Sequence, residues 1–313
     1  MHTLLILSRH ADQYRRLIED ACLPQLEIVS ATSSDDVTAS AAAVCDVVLG
    51  EPTLICKILI RLPALRWVQA TWAGVEPLLD PSLRRDYVLT NARGVFGGLM
   101  SEYVFAYLLA HERLIFEKQA SQDGGRWDPT PPGTLRGKQI GLLGVGSIGA
   151  ALARTARHFG MRVKGYTRAS ESCADVHAYF HGDDRAAFAA DLDYLVSVVP
   201  NTARTERLVD APLLAALPPR AVFINPGRGS VVDEAALADA LRSGRLAGAV
   251  LDVFQQEPLP SDHVLWRTPR VRITSHTAAL SAPGDIAPVF VENYQRWIAG
   301  GPLRHRVDFE RGY

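Results

Sequence analysis

Gln139-Ile140-Gly141-Leu142-Leu143-Gly144-Val145-Gly146-Ser147-Ile148-Gly149 decides how the rest of the chain is read. A largely apolar run, short enough for one buried strand, ends in glycines, and the Ala-rich segment Ala150 to Phe159 follows directly. The order is strand, tight turn, helix. The spacing Gly144, Gly146, Gly149 gives each glycine its own task. Gly144 makes the turn, Gly146 lets a pyrophosphate approach the backbone, and Gly149 lets the helix pack close to the strand. The helix would offer free N–H groups and the positive end of its dipole to the phosphates. A ligand-free turn fits the glycines alone, but the strand before them and the helix after favour a dinucleotide.

The same alternation continues on both sides of this stretch. Downstream, the pattern predicts strands at Arg162–Tyr166, Tyr194–Val199, Ala221–Asn225, Ala247–Leu251 and Val271–Ile273. Helices are expected at Arg185–Ala190, at Asp233–Ser243 with Asp233 as cap, and at Pro288–Ala299. Upstream, strands are expected at Leu4–Leu7, Leu26–Ser30, Val47–Gly50, Trp67–Ala70 and Val88–Thr90. Between them, Asp12–Cys22 and Asp35–Ala43 read as helices, the second capped by Ser33 or Ser34. Strand, crossover helix, strand is the grammar of a parallel sheet covered on both faces. The fold class is α/β. Leu99–Gln119 reads as one helix whose segment Tyr103–Ala110 is apolar all round and so needs burial on all sides. It could be wedged between domains, but packing against a second subunit is favoured. Gly124–Gly133 is a loop.

With 313 residues and a net charge of −1, the chain suits two domains and shows no basic run for nucleic acid or a membrane surface. Cys22, Cys45, Cys56 and Cys173 lie far apart without metal-ligand spacing, so reduced thiols and no metal are expected. Leu4–Leu7 is too short for a signal-peptide core, and no stretch is long enough to span a bilayer. The expectation is a soluble, cytoplasmic protein.

Three strand ends carry reactive side chains. Arg228 stands in Asn225-Pro226-Gly227-Arg228-Gly229-Ser230, where flanking glycines leave a guanidinium room to grip a carboxylate. Glu257 follows Leu251-Asp252-Val253-Phe254, and His276 follows Val271-Arg272-Ile273-Thr274-Ser275. One histidine among nine is more often structural than catalytic, but a carboxylate at a neighbouring strand end changes that reading. It favours the protonated ring and makes a general acid. Beside a dinucleotide, this set suggests carbonyl reduction by hydride transfer.

These motifs, in this order and together with Leu251–Leu259 and Thr274-Ser275-His276-Thr277-Ala278, resemble the D-isomer-specific 2-hydroxyacid dehydrogenases along essentially the whole chain. Val199-Pro200-Asn201-Thr202 and the terminal Val307-Asp308…Gly312-Tyr313 are similar to the glyoxylate/hydroxypyruvate reductase branch. The resemblance implies two doubly wound parallel-sheet domains. One is a Rossmann cofactor domain at 98–279; the other is a smaller, discontinuous, flavodoxin-like substrate domain at 1–97 and 280–313. It implies Arg228 as substrate anchor, His276 as acid/base and Glu257 as its tuner. Asp252 would contact the nicotinamide amide, and Ser147, Ile148, Pro200, Thr205 and Asn225 would join the glycines at the cofactor. Trp72 and the backbone of Ala73, Gly74 and Val75 would bind the substrate; Phe96, Trp266 and Leu280 are further pocket candidates. A homodimer is implied as well. The competing readings are a nucleotide-sensing binding protein of this fold and a relative acting on another 2-oxo acid.

Two departures from the family pattern matter. Pro226 stands where a residue with a backbone N–H is usual. The second strand of the cofactor domain ends in Thr167-Arg168-Ala169-Ser170, with no carboxylate before Glu171. An acidic residue there would accept hydrogen bonds from a ribose 2′-hydroxyl and repel a 2′-phosphate. Arg168, with Thr167 and Ser170 as donors, suits the phosphate. NADP(H) is therefore expected to be preferred, with NAD(H) possible.

Overall fold

A computed structural model describes residues 1–312; Tyr313, which belongs to the C-terminal resemblance, lies outside the described residues. The chain forms two compact units, Met1–Val95 with Ser281–Tyr313, and Phe96–Leu280. No described helix is long and apolar enough to cross a membrane.

The first unit opens with β1 (His2–Leu7), α1 (Ala11–Asp20), β2 (Leu26–Ala31), α2 (Ala39–Val44), β3 (Val47–Gly50) and α3 (Pro52–Ile55). β4 (Trp67–Ala70) and β5 (Val88–Thr90) follow. All five strands are parallel, in the order β2-β1-β3-β4-β5. β3 and β4 are buried along their whole length, which is why β3 reads as an unbroken apolar run and β4 as one interrupted only by Gln69. α2 starts later than the sequence predicts. Asp36 turns back to accept hydrogen bonds from the Ser33 amide, the Ser33 hydroxyl and the Thr32 hydroxyl, and this local turn displaces the first helical turn. The cap is Thr38, whose hydroxyl accepts from the Ala41 amide.

The second unit begins with α4 (Gly97–Glu112) and α5 (Ile115–Asp123), where one helix is expected. Leu114 adopts a left-handed backbone, φ +56°, and breaks it. The unit continues with β6 (Gln139–Leu143), α6 (Ser147–His158), β7 (Arg162–Tyr166), β8 (Ala178–Phe180), α7 (Arg185–Ala189), β9 (Tyr194–Ser197) and α8 (Ala211–Ala216). β10 (Val222–Asn225), α9 (Glu234–Arg242), β11 (Gly248–Leu251) and β12 (Val271–Ile273) complete it. The short edge strand β8 and the two-turn α8 have too little pattern of their own to be read from sequence. α9 is capped by Asp233, whose side chain accepts from the Ala236 amide.

These seven strands are parallel, in the order β12-β11-β10-β9-β6-β7-β8. The order reverses between β6 and β9, so the loops after these two strands flank the crevice where doubly wound sheets take ligands. α4 and α6 cover one face through Val104, Leu108, Leu152 and Ala156. The other face is covered through Phe188, Leu213, Leu237 and Leu241. Successive residues of β10 point to opposite cores: Val222 and Ile224 to the first, Phe223 to the second.

The chain then returns to the first unit as α10 (Pro283–Ile298). The sequence places its start at Pro288, since proline suits a first turn, but Pro283 takes that place and Pro288 lies inside. Phe290 of α10 stacks on Trp67 with rings 5.2 Å apart and 3° from parallel, both fully buried. Such a pair is worth about 0.5–1.5 kcal/mol beyond its buried area. Beside it, buried Gln69 accepts from the Thr90 hydroxyl (2.8 Å) and the Asn293 amide (3.0 Å).

Candidate active site

The strand β6 must stop and the chain must turn before α6 can pack back on the sheet. Gly144 does this with φ +93°, and a Cβ on Gly149 would lie 2.2 Å from the Gly144 carbonyl oxygen. Helix and turn thus touch backbone to backbone. At Gly146, by contrast, an added Cβ would meet nothing within 4 Å. The space in front of the turn is open, and α6 starts there at Ser147 with no side-chain cap on its first amides. These features fit a dinucleotide pyrophosphate.

On the other side of the switch point, Thr205 closes the loop after β9 on itself. Its hydroxyl contacts the Pro200 carbonyl oxygen at 2.6 Å. Asn201 of this loop accepts from the Ser230 hydroxyl at 2.9 Å, which joins it to the loop carrying Arg228. Asn225 is buried and spends both ends of its amide on that second loop. Its oxygen accepts from the Gly227 amide (3.2 Å), and its nitrogen donates to the Arg228 carbonyl (2.9 Å). A Cβ on Gly229 would lie 1.9 Å from the carbonyl carbon of Phe254, so only glycine lets the Arg228 loop pass the segment leading to Glu257. Pro226 is buried within this turn.

Arg228, Glu257 and His276 therefore leave the carboxyl edge of three adjacent strands, β10, β11 and β12. His276 Nδ1 lies 2.7 Å from Glu257 Oε2, and the other carboxylate oxygen accepts from the Phe254 amide at 2.9 Å. Since an ionised carboxylate only accepts, Nδ1 carries the proton, and Nε2 takes no part in the pair. His276 has a left-handed backbone, φ +56°, unusual for a residue with a side chain.

Asp252 explains how that conformation is held. The residue is 1 % exposed. It accepts from the Thr274 hydroxyl (2.5 Å), the Thr277 amide (2.9 Å) and the Ala278 amide (2.9 Å). Its own carbonyl accepts from the His276 amide at 2.8 Å. The Tyr103 hydroxyl, 2.8 Å from the Thr274 oxygen, donates to it from α4, and burial pushes that phenol's pKa well above its ordinary value. The visible work of Asp252 is to shape the His276 loop. The link from Tyr103 through Thr274 to Asp252 could not be read from the sequence, because the partners lie 22 and 171 residues apart.

At the end of β7, the Thr167 hydroxyl donates to the Ser170 carbonyl (2.8 Å), while Arg168 and Ser170 are exposed. In the first unit, the loop Trp72–Val75 follows β4, and its Ala73 carbonyl accepts from the Asn91 side chain at 2.7 Å. Of the other pocket candidates, Phe96 is buried, while Trp266 and Leu280 are well exposed. A separate cavity of about 190 Å³ lies at the opposite, amino edge of the second unit's sheet. Its acids are already engaged: Glu112 accepts from Tyr194, and Asp193 pairs with Arg220 at 2.7 Å. We read it as structural.

The geometry defines a dinucleotide-dependent oxidoreductase fold, and comparison with known proteins agrees. The family model described as D-isomer specific 2-hydroxyacid dehydrogenase, NAD binding domain, matches residues 105–278. The chain belongs to this family. It is similar to glyoxylate/hydroxypyruvate reductase A of Salmonella heidelberg (strain SL476), 34% identical over 256 residues, 80% of this chain and 82% of that protein. Among solved structures, a D-isomer specific 2-hydroxyacid dehydrogenase family protein from Aeromonas salmonicida subsp. salmonicida A449 superimposes with a TM-score of 0.93. It is 41% identical, covering 98% of this chain and 99% of the other. A D-isomer specific 2-hydroxyacid dehydrogenase from Xanthobacter autotrophicus Py2, solved in complex with NADPH and MES, gives 0.91 at 34% identity, covering 100% of this chain and 99% of the other.

Replacing Asp252 by Ala should free the Thr277 and Ala278 amides. Hydrogen bonds to a charged group are worth about 1.5–3 kcal/mol, so their exchange should quicken by about 10- to 100-fold. Hydrogen exchange on the cofactor-free protein checks this; unchanged protection would show that other contacts hold the loop.

Proposed function

We propose that this protein reduces a small 2-oxo acid of the glyoxylate/hydroxypyruvate type to the D-2-hydroxy acid, with NADPH as preferred cofactor. The observation that carries the reading is the 2.7 Å pairing of His276 with Glu257, at the edge of the sheet whose β6–α6 turn is shaped for a dinucleotide. Family membership supports the reaction class, and the Salmonella relative's name supports the substrate class. Bound at that turn, the reduced nicotinamide would supply the hydride. His276 keeps its Nδ1–H hydrogen-bonded to Glu257 and delivers the Nε2 proton to the carbonyl oxygen, as a general acid. Arg228 holds the substrate carboxylate by charge-assisted hydrogen bonds and so orients the carbonyl.

Preference for NADPH rests on the exposed Arg168 and the hydroxyls of Thr167 and Ser170, and the Xanthobacter relative bound to NADPH supports it. A cytoplasmic setting belongs to the same reading, since all four cysteines are free thiols, which reducing compartments preserve. So does a homodimer. α4 leaves one side open: Glu102 and Ala106 are exposed, and Ala106 lies in the Tyr103–Ala110 segment expected to be buried on all sides. Ile115 (52 %) and Trp127 (94 %) expose further apolar surface on α5 and the loop after it. A second copy of the chain would cover these residues.

His276→Ala should lower turnover by roughly 10²- to 10⁴-fold with cofactor binding nearly unchanged, as steady-state kinetics and fluorescence titration will measure. Arg228→Ala should raise KM as well as lower kcat. Near-normal turnover without His276 would overturn its role. In catalytic efficiency, NADPH should exceed NADH by about 10- to 100-fold, and joint Thr167→Asp and Arg168→Ala changes should weaken or reverse this. Equal use of both cofactors by the unaltered protein would refute the preference and leave the reductase reading standing. Light scattering at micromolar concentration should give a mass twice the 34.1 kDa of one chain; a single-chain mass would count against the dimer.

A further inference from the structure

Glu171 is the first carboxylate after the loop that would meet a 2′-phosphate, and the fold does not leave it alone. His181, which directly follows β8, has Nε2 2.7 Å from Glu171 Oε1 and Nδ1 2.9 Å from the Thr167 carbonyl oxygen. The Thr167 hydroxyl lies 3.2 Å from the same Nδ1, but its hydrogen is already committed to the Ser170 carbonyl. Both ring nitrogens thus face acceptors. Only the imidazolium, with two N–H groups, satisfies both at once; a neutral ring must give one up.

The surroundings favour the charged ring. The hydrogen bond to Glu171, then that to Thr167, raise the His181 pKa; a cost of desolvation opposes them, and the charges of Glu171 and Asp184 add smaller upward pulls. Asp184 faces it from the start of α7, and the Tyr179 ring of β8 lies parallel to it at 6.5 Å. Arg168 is the charged residue of the intervening loop.

We propose that His181 is a positioning residue for cofactor choice: as imidazolium it ties down Glu171 and braces Thr167, and as a neutral ring it releases one of them and lets the Glu171 charge oppose a 2′-phosphate. Counting Arg168, His181 and Glu171, the loop holds one net positive charge with the proton and none without it. The inference rests on the NADPH reading and deepens it. Its sign follows from the direction of the shift. The folded protein holds the proton at low pH and loses it as pH rises through the raised value, so preference for the phosphorylated cofactor should fall with rising pH.

The test uses the whole protein with NADPH and NADH as probes. NMR should show the His181 ring of the cofactor-free protein titrating above a free histidine, and Glu171→Gln should bring it down. Fluorescence titration between pH 6.5 and 9 should show the ratio of NADPH to NADH affinity falling by about 2- to 5-fold, what one exposed charge interaction is worth. In His181→Gln that fall should vanish, with the ratio fixed near the unaltered protein's high-pH level. In Glu171→Gln its midpoint should move to lower pH. The 2′-phosphate's own ionisation is common to all variants, so the difference between them isolates His181. If His181→Gln keeps the full pH dependence, or if the ring titrates alike with and without Glu171, the inference falls while the NADPH reading stands. Absence of NADPH preference at every pH would overturn both.

Discussion

A buried carboxylate must have its lone pairs filled by donors, and Asp252 meets that requirement by gathering one short loop around itself. The Thr274 hydroxyl and the amides of Thr277 and Ala278 converge on it from a segment otherwise free to wander at the edge strand β12. His276 sits in the middle of that segment, in a backbone conformation that costs a side-chain-bearing residue energy. The cost is offset by hydrogen bonds to a charge held away from water. With the loop held in this way, the imidazole can stand against Glu257.

The same economy governs the neighbouring loops. Asn225, Thr205 and Asp252 are polar residues at strand ends, and such residues invite a ligand assignment. In the structure their side chains are largely taken up by the protein itself. Asn225 cross-links the turn that carries Arg228, Thr205 closes the loop after β9, and Asp252 organises the His276 loop. What remains open toward a ligand is mostly backbone, at Gly146 and the start of α6, together with a few side chains. Preorganisation of this kind leaves little to reorder when a substrate binds.

α4 joins the two concerns of the second unit. Val104 and Leu108 pack it into the core, Tyr103 reaches Thr274 and so supports the Asp252 cluster, and Glu102 and Ala106 stay on the outside. A helix apolar nearly all round can therefore serve a core, a loop and an outer face with different residues of the same two turns.

The sequence by itself determined the α/β class, most of the strands, the glycine turn, and the three strand ends bearing Arg228, Glu257 and His276. It could do so because buried parallel strands are apolar runs, and because turns and chemistry both demand particular residue types within a few positions. It did not reveal the late start of α2, the break at Leu114, or the strand β8. In each of these, a local hydrogen bond, a strained backbone or a neighbouring strand outweighs a weak intrinsic preference. Nor could it show that Asp252 faces the His276 loop, that Tyr103 reaches Thr274, or that His181 ties Glu171 to the end of β7. Those are meetings between residues from 10 to 171 positions apart. Only the packing of strand beside strand, and of α4 against the sheet, brings them within hydrogen-bond reach.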